Sequence, residues 1–276
     1  MQYALILIAL IGYLIAAILS WLVVRKPSPT GHTATAYRLL LLLAFTAHTA
    51  LGLIRWHTSG TFPVNQLAES IWLLAWFLVL ATILTDCLHT RPRKLNFTPF
   101  LLIVAVALLL SGLSLGRPTA LEVAAWTPLH AITVLLGFAG FALAAVSSLL
   151  YLLHERALKN KTANRFADSL PSLETLDRVN FHALAFGFVL VSIGIAVGVT
   201  AAISTGQLGT AWWTDSKVFL SLVVWVFYAA VVVCRLVRSL RGRTIAWLTI
   251  TGFVLVVLTL VGTDLFAPGI HAKLGG

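Results

Sequence analysis

The sequence predicts an all-α integral membrane protein, built as a bundle of about eight transmembrane helices. Of its 276 residues, 59% are hydrophobic and only 10% are charged, and the mean hydropathy is +0.97. An average soluble domain has roughly 25% charged residues, and one core of this size cannot enclose so much apolar surface. Lipid must therefore cover the excess.

Eight apolar runs come close to the length that a membrane span requires. A hydrocarbon core about 30 Å thick takes roughly 20 residues of helix. Strands are excluded because the runs lack the alternation of a barrel and an open sheet would leave backbone groups unpaired in lipid. We expect one transmembrane domain over residues 1–276. The runs cover residues 3–24, 37–56, 67–87, 98–115, 129–153, 178–203, 217–237 and 244–264.

Charge, proline, or glycine with serine bounds each of these runs. The sixth run is preceded by Ser172 and Glu174, a pattern typical of a helix start. Residues 154–178 mix charges with Asn, Ser and Pro and are expected to form a solvated linker with one helical turn.

Basic residues predict the orientation of the chain in the membrane. Loops rich in Lys and Arg stay in the cytoplasm, and fifteen of the nineteen basic residues flank the first, third, fifth and seventh loops. Both termini are therefore expected outside. The first run is followed, not preceded, by positive charge, which is typical of an uncleaved span. We expect a multi-pass protein of the bacterial inner (plasma) membrane, surrounded by lipid.

Several classes of function are disfavoured by the same residues. The formal charge is +10, but the basic residues form no continuous face for nucleic acid. Cys87 and Cys234 lack the spacing of a zinc site or a disulfide framework. No hydrolase motif or phosphate-binding loop is present, so an enzyme is not expected. No inverted repeat of the transporter kind is apparent, which disfavours a carrier.

Two histidines lie within predicted spans and are functional candidates, because ionisable groups in a membrane are costly. His48 lies about ten residues into the second run, and His182 lies near the cytoplasmic end of the sixth. A hydrogen bond between helices and a ligand role both remain open for His48. Helix rise separates the two residues by roughly 10 Å along the membrane normal, so one iron bound to both would need tilted helices.

Two further histidines are predicted at the outer face. His130 begins the fifth run and His271 lies in the C-terminal tail. Imidazole is a common axial ligand of haem iron, and two imidazoles at the mouth of a bundle could hold a haem. Trp212, Trp213 and Trp56 are predicted on the same side, where indole rings could stack on a porphyrin. An ordinary aromatic belt at the membrane interface is the alternative for these tryptophans.

Several segments resemble the cytochrome c assembly protein family, which includes CcsA-, HemX- and YpjD-type membrane proteins. Arg55–Trp56, Ser59–Pro63 and Leu67–Ser70 together resemble the CcsA pattern R-W-x-x-S-G-H-F-P-L-S-N-L-Y-E-S. The ending, Gly269–His271, is similar to the G-L-H of the CcsA ending. Segments similar to YpjD-type members are Thr127–His130, Leu176–Arg178 with Phe181–His182, and Leu240–Arg243.

The resemblance implies a haem site and its residues. His130 and His271 match two outer histidines that are haem-iron ligands in CcsA-type proteins. Trp212, Trp213 and Asp215 match a shortened form of the tryptophan signature W-G-x-x-W-x-W-D-P-K, which implies a partial floor for the haem. His48 and His182 match histidines of the YpjD-type branch, and we include them among the candidate cofactor-binding residues.

Three hypotheses for the function follow. The first is a non-enzymatic inner-membrane protein that binds haem near the outer face and supports cytochrome c maturation with assembly partner proteins. The alternative, favoured by the shortened tryptophan signature, is a YpjD- or HemX-type accessory protein that modulates a partner and holds no haem. A small-solute permease with His48 and His182 along its path is the third.

Overall fold

The computed structural model describes residues 2–25, 31–64, 66–88, 97–112, 126–160, 170–204, 216–237 and 241–266. Within these ranges the chain forms eight α-helices and no strand, which confirms the predicted all-α class. The helices are α1 (Gln2–Arg25), α2 (Gly31–Ser59), α3 (Leu67–Leu88), α4 (Thr98–Ser111), α5 (Thr127–Lys159), α6 (Leu173–Ser204), α7 (Ser216–Val237) and α8 (Arg243–Phe266).

Seven of the eight described helices are long and apolar enough to cross a membrane, by length and composition. The exception is α4, whose 14 residues fall short of the roughly 20 that a hydrocarbon core requires. The predicted run over residues 98–115 was longer, but residues 113–125 lie outside the described part of the chain. The protein is therefore a multi-pass membrane protein, while the outward location of its termini stays a prediction.

Two helices begin earlier than the hydropathy pattern indicated. α2 begins at Gly31 instead of near residue 37, and α6 begins at Leu173 instead of 178. Polar first turns carry no hydropathy signal, although their backbones are helical. The expected start signal of α6 is confirmed, because Ser172 Oγ accepts a hydrogen bond from the Thr175 backbone N–H at 3.3 Å. The expected linker over 154–178 is therefore helical at both ends, with α5 continuing to Lys159.

Contacts divide the chain into two compact units, and a single domain over residues 1–276 stays a prediction. Unit 1 comprises residues 1–120 and 150–176. Within it, α1 packs against α2 and α4, and α3 packs against α4. Gly12 permits a close approach of α1 to α2, because a Cβ atom there would lie 2.7 Å from the Ala44 Cβ. Trp21 meets Phe100 edge-on, with ring centroids 5.7 Å apart, where α1 packs on α4.

One acidic side chain joins three helices of unit 1. Asp86, in the last turn of α3, accepts a hydrogen bond from the Tyr37 hydroxyl of α2 at 2.9 Å. Its second carboxylate oxygen accepts from the Thr98 hydroxyl of α4 at 2.8 Å. The Asp86 carboxylate is thus part of the helix packing, because both of its oxygens are bonded to neighbouring helices.

Unit 2 comprises residues 121–149 and 177–276, and includes most of α5 and α6 with all of α7 and α8. Glycines bring α5 and α6 together: a Cβ atom on Gly187 would lie 2.8 Å from the carbonyl oxygen of Gly137. Phe141 of α5 stacks on Tyr228 of α7 at 3.7 Å and 10°. Helices in lipid usually pack through small residues, which let their backbones approach closely.

Candidate functional site

His130 lies in the first turn of α5, where its backbone N–H donates to the Trp126 carbonyl at 3.0 Å. The preceding Pro128 suits this turn, because the first helical N–H groups have no partner within the helix and proline lacks one. The His130 side chain is half-buried. α5 therefore presents this imidazole at its N-terminal end, on the side that the charge pattern predicts to be outside.

The His130 ring is held by the next helix of the same unit. Its Nδ1 atom lies 2.7 Å from the carbonyl oxygen of Gly194 on α6. A carbonyl oxygen can only accept a hydrogen bond, so Nδ1 must carry the proton. In the neutral ring the lone pair is then on Nε2. Histidines that bind metals are oriented in this way, by donating from one nitrogen while the other coordinates.

Four of the predicted site residues lie outside the described part of the chain: Trp212, Trp213, Asp215 and His271. Their roles stay predictions. Trp56 is described at the end of α2, where it is exposed and meets Phe62 edge-on at 5.5 Å. Of the two histidines predicted as haem ligands at the outer face, His130 is therefore the one for which the structure provides contacts.

His48 is fully buried between helices of unit 1. The Tyr13 hydroxyl of α1 lies 3.1 Å from its Nδ1 atom, so a hydrogen bond joins α1 to α2. A hydrogen bond between helices was one of the two roles expected for this residue. Its ring meets Trp72 of α3 at 4.4 Å and 64°, and Gly52 provides room for that indole, since a Cβ there would lie 2.5 Å from it. No hydrogen-bond partner for its Nε2 is found in the described ranges.

His182 differs from His48 in its environment. Its side chain is exposed on α6, and its ring lies 5.7 Å from the adjacent Phe181. His48 belongs to unit 1 and His182 to unit 2. An iron bound by both histidines stays a prediction.

The segment from Arg55 to Ser70, which resembles the CcsA pattern, connects α2 to α3. It forms a closed connection, because an ion pair joins its two ends. Arg55, at the end of α2, donates to the Glu69 carboxylate in the first turn of α3 at 2.8 Å, and the two side chains are only 4% and 5% exposed. Gly60 has a φ of +71°, and its N–H bonds to the Trp56 carbonyl at 2.9 Å. This is the left-handed glycine that ends many helices.

Sequence reasoning considered Arg55 and Glu69 separately and missed their pairing. It also missed a buried polar cluster in unit 2, centred on Asn180 of α6. The Asn180 amide N–H groups reach the Ser148 hydroxyl at 2.8 Å, the Ala144 carbonyl at 3.1 Å and the Thr249 hydroxyl at 3.3 Å. Polar residues at a helix contact within an apolar run were the available signal.

Comparison with known proteins gives one family match and many relatives. The family described as "Cytochrome C assembly protein" matches residues 64–271, a range that contains His130 and ends at His271. The chain is 26% identical to the "Cytochrome c biogenesis protein CcsA" of Prochlorococcus marinus (strain MIT 9301) over 262 residues, which covers 86% of this chain and 84% of that protein.

Two other proteins with the same name are similarly related. The one from Guillardia theta is 28% identical over 262 residues, covering 86% of this chain and 84% of its own. The one from Synechococcus sp. (strain RCC307) is 24% identical over 275 residues, covering 88% and 86%. The similarity thus extends over nearly the full length of both partners in each comparison.

Proposed function

This chain belongs to the cytochrome c assembly protein family, and we propose that it is a haem-handling membrane protein that supports cytochrome c maturation. Its relatives named as cytochrome c biogenesis proteins align with most of the chain. The seven long apolar helices are consistent with a function that is carried out in a membrane. We propose that this membrane is the bacterial inner membrane, with the basic loops of the chain in the cytoplasm.

The observation that carries this proposal is the bonding of His130. Its Nδ1–H donates to Gly194 at 2.7 Å, and its side chain remains half-exposed. The ring is therefore fixed in orientation on a residue that is only partly buried, which fits the requirements of an axial ligand. His271 is the proposed second ligand, with Trp212, Trp213 and Asp215 as the proposed floor.

When bound, haem would supply the iron porphyrin that is attached to apocytochrome c. The residues of this chain bind and orient it. His130 holds its ring by the bond to Gly194, and in the neutral form a proton on Nδ1 leaves the lone pair on Nε2. We propose a binding and presenting role, not an enzymatic one, with partner proteins that deliver the apocytochrome.

A second candidate function is an accessory protein that holds no haem. Two observations favour it: His48 is packed between Tyr13 and Trp72 as a helix-joining residue, and the tryptophan signature is shortened. In such a protein the histidines would stabilise helix contacts only.

The two candidates are separated by an absorption spectrum and a pyridine haemochrome assay on detergent-purified protein from cells well supplied with haem. We expect stoichiometric haem, with a sharp Soret band and split visible bands after reduction. His130→Asn should abolish or shift this spectrum, because Asn can keep the bond to Gly194 but cannot replace Nε2. His271→Ala should act in the same direction.

His154→Asn is the matched control. His154 Nδ1 also lies close to a backbone carbonyl, that of Pro171 at 2.9 Å, but in unit 1. This variant should keep the wild-type spectrum. A folded, monodisperse and colourless wild-type protein would support the accessory function, and a haem spectrum that ignores both His130 and His271 would remove them as ligands.

A further inference from the structure

Two glycines of α6, Gly194 and Gly198, lie against the His130 ring. They are four residues apart, so the carbonyl of Gly194 points along the helix toward the N–H of Gly198. A side chain on the later residue would normally cover part of that carbonyl. Because Gly198 has none, the oxygen of Gly194 has room for a second donor, and His130 Nδ1 occupies that position at 2.7 Å.

The space beside Gly198 is filled by the imidazole ring of His130. A Cβ atom built on it would lie 2.7 Å from His130 Nδ1, 2.8 Å from Cε1 and 3.6 Å from Cγ. All three nearest atoms belong to this one ring. A methyl group at position 198 would therefore displace the ring from its bonding position.

Gly194 has a different role. A Cβ atom on it would lie 2.5 Å from Val134 Cγ2, 2.9 Å from Thr133 Oγ1 and 3.2 Å from the Val134 backbone nitrogen. Its missing side chain sets how closely α6 approaches the first turns of α5. That approach brings the Gly194 carbonyl within hydrogen-bond distance of His130.

Gly140 of this helix pair shows what backbone packing alone looks like. A Cβ on it would meet the Ala183 carbonyl at 3.0 Å and the Cα and nitrogen of Gly187 at 3.1 and 3.3 Å. These three nearest atoms are all backbone atoms and explain the close approach of the helices. At Gly198 the three nearest atoms all belong to the His130 side chain, so backbone packing alone does not explain the missing side chain there.

We propose that Gly194 and Gly198 are positioning residues for His130, which hold its ring so that the proton on Nδ1 is donated to Gly194 and the lone pair of the neutral form is on Nε2. The proposal rests on the proposed function in one respect, that Nε2 is the atom offered to haem iron. Partners of metal-bound histidines that fix the ring in this way typically contribute 10–100-fold to metal affinity. Gly198→Ala should reduce haem affinity by a factor of this order.

The first test reads the tautomer without haem. Haem-free protein labelled with 15N-histidine is studied by NMR, and the His130 signals are identified by their loss in His130→Asn. In the wild type, His130 should be protonated at Nδ1. In Gly198→Ala, its signals should move toward the Nε2-protonated form, which dominates when the bond to Gly194 is lost.

Gly252→Ala is the matched control, since the three atoms nearest to a Cβ on Gly252 would also be side-chain atoms, those of Tyr228 and Phe227 at 2.8–3.0 Å. It should leave the His130 tautomer unchanged. An Nε2-protonated His130 in the wild type overturns the proposal without the need for any variant. A tautomer that is the same in Gly198→Ala and the wild type overturns it as well.

Haem titration of the wild type, Gly198→Ala and Gly252→Ala separates this proposal from the proposed function. Weaker binding in Gly198→Ala, with Gly252→Ala like the wild type, supports both. An Nδ1-protonated ring that shifts in Gly198→Ala, in a protein that binds no haem, supports the positioning of the ring and contradicts the haem function. Haem binding of equal strength in all three proteins overturns the positioning role and leaves the haem function standing.

Discussion

The guanidinium group of Arg235 donates two hydrogen bonds to the Asp177 carboxylate, at 2.7 and 2.6 Å. A third bond reaches the Asp177 backbone carbonyl at 3.0 Å, and the guanidinium carbon lies 5.3 Å from the centroid of the Phe181 ring. Arg235 is in the last turn of α7 and Asp177 in the second turn of α6. The pair therefore holds these two helix ends together in unit 2.

Arg235→Lys should lower the thermal stability of the detergent-solubilised protein. Lysine keeps the charge but cannot form the planar two-point contact, and hydrogen bonds to charged groups contribute about 1.5–3 kcal/mol each at most. We expect a loss of about 1–3 kcal/mol, measured as a shift in the unfolding midpoint. Lys159→Ala is the control, because its pair with Glu155 at 2.6 Å is largely exposed and should contribute less than about 0.5 kcal/mol. Equal shifts in both variants would contradict the role given to Arg235.

The buried pair of Arg55 and Glu69 should behave differently from a surface pair. Arg55→Met leaves the Glu69 carboxylate buried without this cation, which costs about 3–5 kcal/mol. The double variant Arg55→Met, Glu69→Leu should recover most of that loss, because two apolar side chains need no desolvated charge. Thermal unfolding of the wild type, both single variants and the double variant checks this. Additive losses in the double variant would show that the two side chains do not act as a pair.

Tyr13→Phe tests the role of His48. The substitution removes the hydroxyl bonded to His48 Nδ1 and leaves that buried nitrogen unpaired, at a cost of about 1–3 kcal/mol. The unfolding midpoint should fall, whereas the haem content should equal that of the wild type. Loss of haem in Tyr13→Phe or His48→Leu, with haem retained in His130→Asn, would transfer the ligand role to His48.

The predicted orientation can be tested with native cysteines. Cys87 is exposed at the end of α3, next to a loop that the basic residues place in the cytoplasm. In a Cys234→Ser background, a membrane-impermeant maleimide should label Cys87 only after the membrane is opened. A second variant carries Cys87→Ser, Cys234→Ser and His57→Cys. Residue 57 is exposed, and this variant should be labelled in intact spheroplasts. The reverse pattern would place both termini in the cytoplasm.

Hydropathy was sufficient to predict the helices, but not where polar turns extend them. The first turn of α2 contains His32 and Thr33, which lower the local hydropathy while the backbone stays helical. Ser172 was recognisable as a helix start because its hydroxyl acts on a donor three residues away, and short-range chemistry of this kind is visible in a sequence.

Contacts between distant segments were beyond reach of the same reasoning. His130 was a candidate from its residue type and place, but its partner Gly194 is 64 residues away and contributes only a backbone oxygen, which every residue has. Arg55 and Glu69 were both conspicuous charges near helix ends, yet their pairing depends on the turn at Gly60. Asn180 was missed because one amide side chain hardly changes the mean hydropathy of an apolar run.

The closed connection from Arg55 to Glu69 has a consequence for how this chain can vary. Its charge pair and left-handed glycine specify a hairpin of helices within unit 1, whereas His130 belongs to unit 2. Variants selected only for folding should therefore retain Arg55, Gly60 and Glu69 while they tolerate changes at His130. The segment by which the chain is most readily recognised reports on architecture, and the ability to hold haem must be judged from other residues.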